Sequence, residues 1–100
     1  MKNDKFILSE GRARLLKLIS KTGSITKAAK NMDMSYRHAW GILKDIEESV
    51  DEKIIESTRG GKEGGGSKLT KTGNNLLSEY NKLKEKHQGD VYKNPSLTVD

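Results

Sequence analysis

Gly23-Ser-Ile-Thr-Lys-Ala-Ala-Lys-Asn-Met-Asp-Met-Ser-Tyr-Arg-His-Ala-Trp40 carries two helix starts separated by a tight turn. Ser24 is suited to accept a hydrogen bond from a free backbone N–H at a helix head. Behind it Ile25, Ala28, Ala29 and Met32 recur at i, i+3, i+4 and i+7, the apolar face of a helix of about two turns. The alanine pair lets another helix approach closely. Asn31 to Met34 make the turn, with Met34 plugging the core between helices. Ser35 caps a longer helix that runs to about Val50. At about 100° per residue, Ala39, Leu43, Ile46 and Val50 share a narrow arc, which is the core face. Arg37, His38, Gly41, Lys44 and Asp45 fall elsewhere on the wheel, with Tyr36 and Trp40 on the border. A short helix, a turn and a freshly capped second helix form the pattern of a helix-turn-helix. In that motif the second helix enters the major groove of DNA.

Upstream, Phe6, Ile7 and Leu8 suggest an edge strand, and Ser9 caps a first helix from Glu10 to about Lys21. Its expected core residues are Leu15, Leu18 and Ile19, flanked by Leu16, and Thr22-Gly23 ends it. Downstream, Ile54 and Ile55 within Lys53–Thr58 read as a strand. Arg59-Gly-Gly-Lys-Glu-Gly-Gly-Gly66 is a glycine-rich loop, and Ser67, Lys68 and Leu69 return as a second strand. Thr70 caps a last helix striped by Leu76, Leu77, Tyr80 and Leu83, which should end near His87-Gln88-Gly89. The expected fold is mainly α with a small β-hairpin: a winged helix-turn-helix with an additional C-terminal helix, over residues 1–88. Residues 89–100 are expected to be a flexible tail.

Composition narrows the partners. The chain has 100 residues and a net charge of +5. Residues 1–86 hold 18 Lys+Arg against 12 Asp+Glu, or +6, so the basic charge belongs to the folded body. The acids gather at Asp45, Glu47, Glu48, Asp51, Glu52 and Glu56, which leaves the remaining surface more basic and suited to a polyphosphate. There are no cysteines, so thiolate metal sites and cysteine nucleophiles are excluded. His38 and His87 are far apart and have no evident metal-ligand partners. No hydroxyl has a base held by a third group in the pattern, and no carboxylate pair stands out. We therefore expect a non-enzyme with no cofactor and no metal. The absence of a long apolar run or a signal-peptide stretch leads us to expect a cytoplasmic protein without a membrane partner.

Residues 23–40, the loop 59–66 and Leu69-Thr-Lys-Thr-Gly73 resemble the N-terminal DNA-binding domain of ModE-type molybdate-responsive regulators. Ser24-Ile-Thr-Lys-Ala-Ala29 and Leu69–Gly73 are more distantly similar to LysR-type winged-helix domains. The resemblance covers roughly residues 8–85. It implies a winged helix-turn-helix transcription factor that dimerises through its flanking helices. ModE-type regulators also carry a C-terminal molybdate-binding module. This sequence stops at Asp100, so no molybdate site is expected in it.

Within that frame each candidate has two readings. Arg37, in the first turn of the second motif helix, suits bidentate contact to guanine, the commonest specific base contact, or is a solvated arginine. Ser35 caps its helix and could also meet a phosphate. Tyr36 matches a DNA-contacting position in the resembling families, or packs its ring along the core edge. Trp40 is open between core and DNA, sharing an edge with Arg37 and Lys44. Gly41 costs about 1 kcal/mol inside a helix, for which close approach to DNA or room for the Trp40 ring would account. His38 could reach DNA, but a lone exposed histidine is more often a bystander. Ser24 and Thr26 are phosphate candidates, Ser24 also a cap and Thr26 also a plain surface residue. The wing supplies Arg59, Lys62 and Lys68. A phosphate-binding P-loop is discounted because Gly66-Ser67-Lys68 reverses the Gly-Lys-Ser/Thr order. Leu76, Leu77, Tyr80 and Leu83 exceed what one small domain covers, which points to a homodimer matched to two-fold DNA sites. The sequence thus suggests a sequence-specific regulator of double-stranded DNA. A winged-helix protein–protein module and a nonspecific architectural DNA binder remain the alternatives.

Overall fold

The computed structural model describes residues 7–58 and 66–93, with 58 and 86–93 as backbone only. The order is α1 (Glu10–Thr22), α2 (Ile25–Asn31), α3 (Tyr36–Val50), β1 (Ile55–Thr58), β2 (Gly66–Leu69) and α4 (Lys71–Lys93). This is the mainly helical chain with a small hairpin that the sequence suggests.

Each helix start is set by a hydroxyl. Ser9, Ser24 and Ser35 accept from the N–H groups of Arg12, Lys27 and His38 at 3.3, 3.0 and 3.0 Å. Thr70 does the same for Gly73 at 3.1 Å. Each satisfies one of the donors that a helix leaves free at its first turn. Leu8 and Ala13, just before the Ser9 cap and four positions after it, are both buried, the placement of a hydrophobic staple. That is where the expected edge strand fails. Ile7 and Leu8 lie outside any strand, because Leu8 is committed to the core, while Phe6 is outside the described residues. Gly23 ends α1 at φ +72°, its N–H donating to the Ile19 carbonyl.

Leu15, Leu16, Ile19, Leu43, Ile46 and Ile54 are the largest fully buried side chains. Leu16, expected to flank the core, is at its centre, and Leu18 is only part-buried against it. The cause is the number of neighbours: α1 touches α2, β2 and α4, so its apolar face is wider than one stripe. On α3, Ala39, Leu43 and Ile46 are buried and Val50 is part-buried. Met32 and Met34 pack partly against the same cluster.

β1 and β2 pair antiparallel, Ile55 opposite Leu69 and Thr58 opposite Gly66. The Ser67 N–H donates to the Gly23 carbonyl at 2.9 Å, which ties the hairpin to the corner between α1 and α2. The hairpin root is tied equally firmly to its other neighbours. Glu47 accepts from the Ile54 N–H at 3.0 Å, Thr70 donates from Oγ1 to the Lys53 carbonyl at 2.7 Å, and Thr72 donates to Glu52. Glu47, expected to face solvent, is part-buried and tethers the hairpin, while Glu52 is exposed as expected and still tethers α4. Helix α4 also runs to Lys93, past the expected stop near His87–Gly89. One helical glycine costs only about 1 kcal/mol, which is not a stop. Residues 94–100 lie outside the described residues. No helix of the described residues is long and apolar enough to cross a membrane.

Candidate nucleic-acid interface

Helix α3 is sharply two-sided. Its inner face holds Ala39, Leu43 and Ile46, all at 0% exposure. Its outer face begins with Tyr36, Arg37 and His38 and continues through Gly41 and Lys44, all exposed. The short capped turn before it holds α3 against α2 through the small Ala28 and Ala29 side chains, both buried. Asp33, at φ +56°, makes the bend. Arg12 on α1 pairs with Asp45 on α3 at 3.2 Å, the Asp45 side chain being well exposed.

Trp40 sits on the border that the periodicity gives it. Its ring packs partly against the core, while its Nε1–H donates to the Tyr36 hydroxyl at 2.6 Å. The Lys44 ammonium stands over the same ring, 5.8 Å from its centroid, within the range of a cation–π contact. Tyr36 itself is 48% exposed. Apart from its chain neighbours Trp40 and Ile42 and the surrounding helix backbone, a Cβ built at Gly41 meets nothing within 4 Å.

Ser24, Thr26 and Tyr36 line one cleft of about 350 Å³ together with Ser57, Gly66 and Ser67. It therefore lies where the heads of α2 and α3 meet the root of the wing. Ser57 and Ser67 escaped the sequence reading as site residues. Their signal was the hairpin register, which sets them directly opposite each other. Ser35 is occupied as a cap, leaving its own hydroxyl proton to donate. Lys68 stands on β2. It is engaged across the hairpin by Glu56 at 3.8 Å, both ends being well exposed. Arg59 and Lys62 lie outside the described residues. On α4, Leu76, Leu77 and Tyr80 are part-buried against the core, whereas Leu83 is 41% exposed.

Three helices, a hairpin tied to their corner and a trailing fourth helix make this a winged helix-turn-helix domain. The chain belongs to the bacterial regulatory helix-turn-helix proteins of the lysR family, whose model matches residues 11–74. It is 40% identical over 91 residues to the transcriptional regulator ModE of Yersinia pestis, across 89% of this chain and 35% of that protein. It is 34% identical over 84 residues to the DNA-binding transcriptional dual regulator ModE of Escherichia coli K12, across 84% of this chain and 32% of that protein. The chain thus spans about a third of the length of these transcriptional regulators. Among solved structures, the BenM_DBD/catB site 1 DNA complex superposes with a TM-score of 0.66 at 18% identity, covering 93% of this chain and 98% of that one. At that identity the match speaks for the fold.

Proposed function

We propose that the chain is a sequence-specific, DNA-binding transcriptional regulator acting in the cytoplasm as a homodimer. Helix α3 lies in the major groove and the glycine-rich wing lies on the adjacent backbone. The observation that carries this reading is the two-sidedness of α3: three fully buried apolar residues behind an outer face that begins Tyr36-Arg37-His38. A helix held this firmly from behind, with its polar first turn in the open, is what groove reading requires. Family membership and the regulators it resembles point the same way.

Arg37 is assigned to a base edge. Ser24, Thr26 and Ser35 are assigned to phosphates, with Arg59, Lys62 and Lys68 supplying wing charge. His38, Gly41 and Lys44 complete the DNA-facing side, and Tyr36 and Trp40 act on it as a pair. Leu83, with Leu76, Leu77 and Tyr80, is assigned to the dimer contact.

The test is a fluorescence-anisotropy titration of a labelled duplex at several salt concentrations. Affinity should fall steeply with salt as lysine and arginine contacts release counterions. Arg37→Ala should relax sequence preference, and Lys62→Ala should weaken every sequence alike. Failure to bind any duplex at low salt would reject the proposal in favour of a protein–protein module. Binding with no preference between a selected duplex and an unrelated one would leave an architectural binder.

A further inference from the structure

We propose that Trp40 is a positioning residue that fixes Tyr36 as a hydrogen-bond donor toward an acceptor atom of DNA. The inference rests on the reading of α3 as the DNA-facing helix and adds to it the polarity of one contact.

The direction follows from chemistry. An indole N–H only donates, while a phenol hydroxyl both donates and accepts. In the pair at 2.6 Å, Trp40 Nε1 is therefore the donor and Tyr36 Oη the acceptor. The proton of Tyr36 must point elsewhere. Among the described residues it meets no protein acceptor, and Tyr36 is 48% exposed. The Trp40 ring is in turn held on two sides, by the core and by the Lys44 ammonium at 5.8 Å. Residues 36, 40 and 44 thus run up one edge of α3 at four-residue intervals, and the free end of the chain of contacts is an O–H facing outward.

Such a group accepts only certain partners. Phosphate oxygens, purine N7, guanine O6 and thymine O4 are acceptors. The amino groups of adenine and cytosine are donors. A freely turning tyrosine could serve either kind, whereas one already accepting from Trp40 is biased toward acceptors. Trp40 would therefore sharpen recognition without touching DNA.

The test uses Tyr36→Phe, Trp40→Phe and the double variant of the full chain. Each is titrated against a duplex selected from a randomised pool and against an unrelated duplex of equal length. Tyr36→Phe should weaken binding about tenfold, the scale of a hydrogen bond lost to a charged or strongly polar acceptor. Trp40→Phe should lose less, and the double variant should match Tyr36→Phe alone, since two residues acting through one contact do not add. A loss shared by both duplexes assigns the acceptor to a phosphate. A loss confined to the selected duplex assigns it to a base edge. Undiminished binding by Tyr36→Phe, or full additivity, would overturn the inference.

A second readout needs no DNA. Trp40 is the sole tryptophan, so Tyr36→Phe should shift its emission by removing the acceptor of its N–H. Unchanged emission would refute the pairing even where Trp40→Phe failed to fold. If the wild-type chain bound no duplex, the DNA reading would fail, while the emission result would still decide the pair.

Discussion

Two helical glycines, Gly73 and Gly41, are absences of a side chain for opposite reasons. At Gly73 a Cβ would stand 2.6 Å from the Ile54 carbonyl oxygen and 3.2 Å from Leu69 Cβ. The first turn of α4 is pressed against the hairpin root, and no side chain fits between. At Gly41 a Cβ would meet nothing within 4 Å. No contact from elsewhere in the fold fills that space, and the glycine costs about 1 kcal/mol relative to alanine. One glycine answers a demand inside the chain. The other lies on the outer face between Tyr36 and Lys44, where no contact across the fold calls for it. The contrast separates what holds this domain together from what the domain is for.

The largest effect should come from Gly73→Ala. The obstructing atom is a backbone carbonyl, and the Thr70 N–H that it accepts at 2.9 Å holds it in place. It cannot rotate away as a long side chain would, so α4 must shift from the hairpin. Allowing for alanine's better helix propensity, we expect a net loss of about 2 kcal/mol, read as a lower midpoint in thermal or urea unfolding. Stability within about 0.5 kcal/mol of wild type, the usual scatter of harmless surface changes, would show that the junction has slack and that the contrast with Gly41 is false.

The same contrast marks what could be read from the chain. Helix starts were legible because Ser9, Ser24, Ser35 and Thr70 each accept from an N–H three residues ahead. The α3 stripe was legible because one wide face meets the core. Leu16 and Leu18 were exchanged because a helical wheel does not say how many neighbours a helix has, and α1 packs against α2, β2 and α4. Gly73 could not be distinguished from Gly41 by sequence. The difference is a long-range approach of residue 73 to residue 54. The hydrogen-bond partners of Glu47 and Glu52 escaped the reading for the same reason, since Ile54 and Thr72 are brought to them by the path of the chain. At the site, Arg37 and Tyr36 could be placed on an outer face, but the Trp40–Tyr36 hydrogen bond required side-chain geometry.

Gly41→Ala should act with the opposite sign on the two properties. A Cβ in open space on an exposed helix should raise stability by about 0.5–1 kcal/mol. If the empty space serves close approach to DNA, the same methyl group should weaken duplex binding. Unfolding and anisotropy measured on one preparation give both signs. Higher stability with undiminished affinity would leave Gly41 without a role in binding and would remove half of the comparison.

The smallest structural effect is expected from Glu56→Gln, and its value lies in separating stability from electrostatics. Glu56 faces Lys68 across the hairpin at 3.8 Å, both side chains being about half exposed or more. A pair so open to solvent contributes little to folding, and its loss should change stability by less than about 0.5 kcal/mol. Its effect on DNA should be larger in kind. Beside the wing, Glu56 both repels phosphate and occupies the ammonium of Lys68. Replacing it with an uncharged side chain of the same shape releases that cation at the edge of the proposed interface. Affinity at low salt should rise, and the dependence of log affinity on log salt should steepen by about one phosphate contact. An unchanged slope would mean that Lys68 stays clear of the backbone, leaving the wing's grip to Arg59 and Lys62.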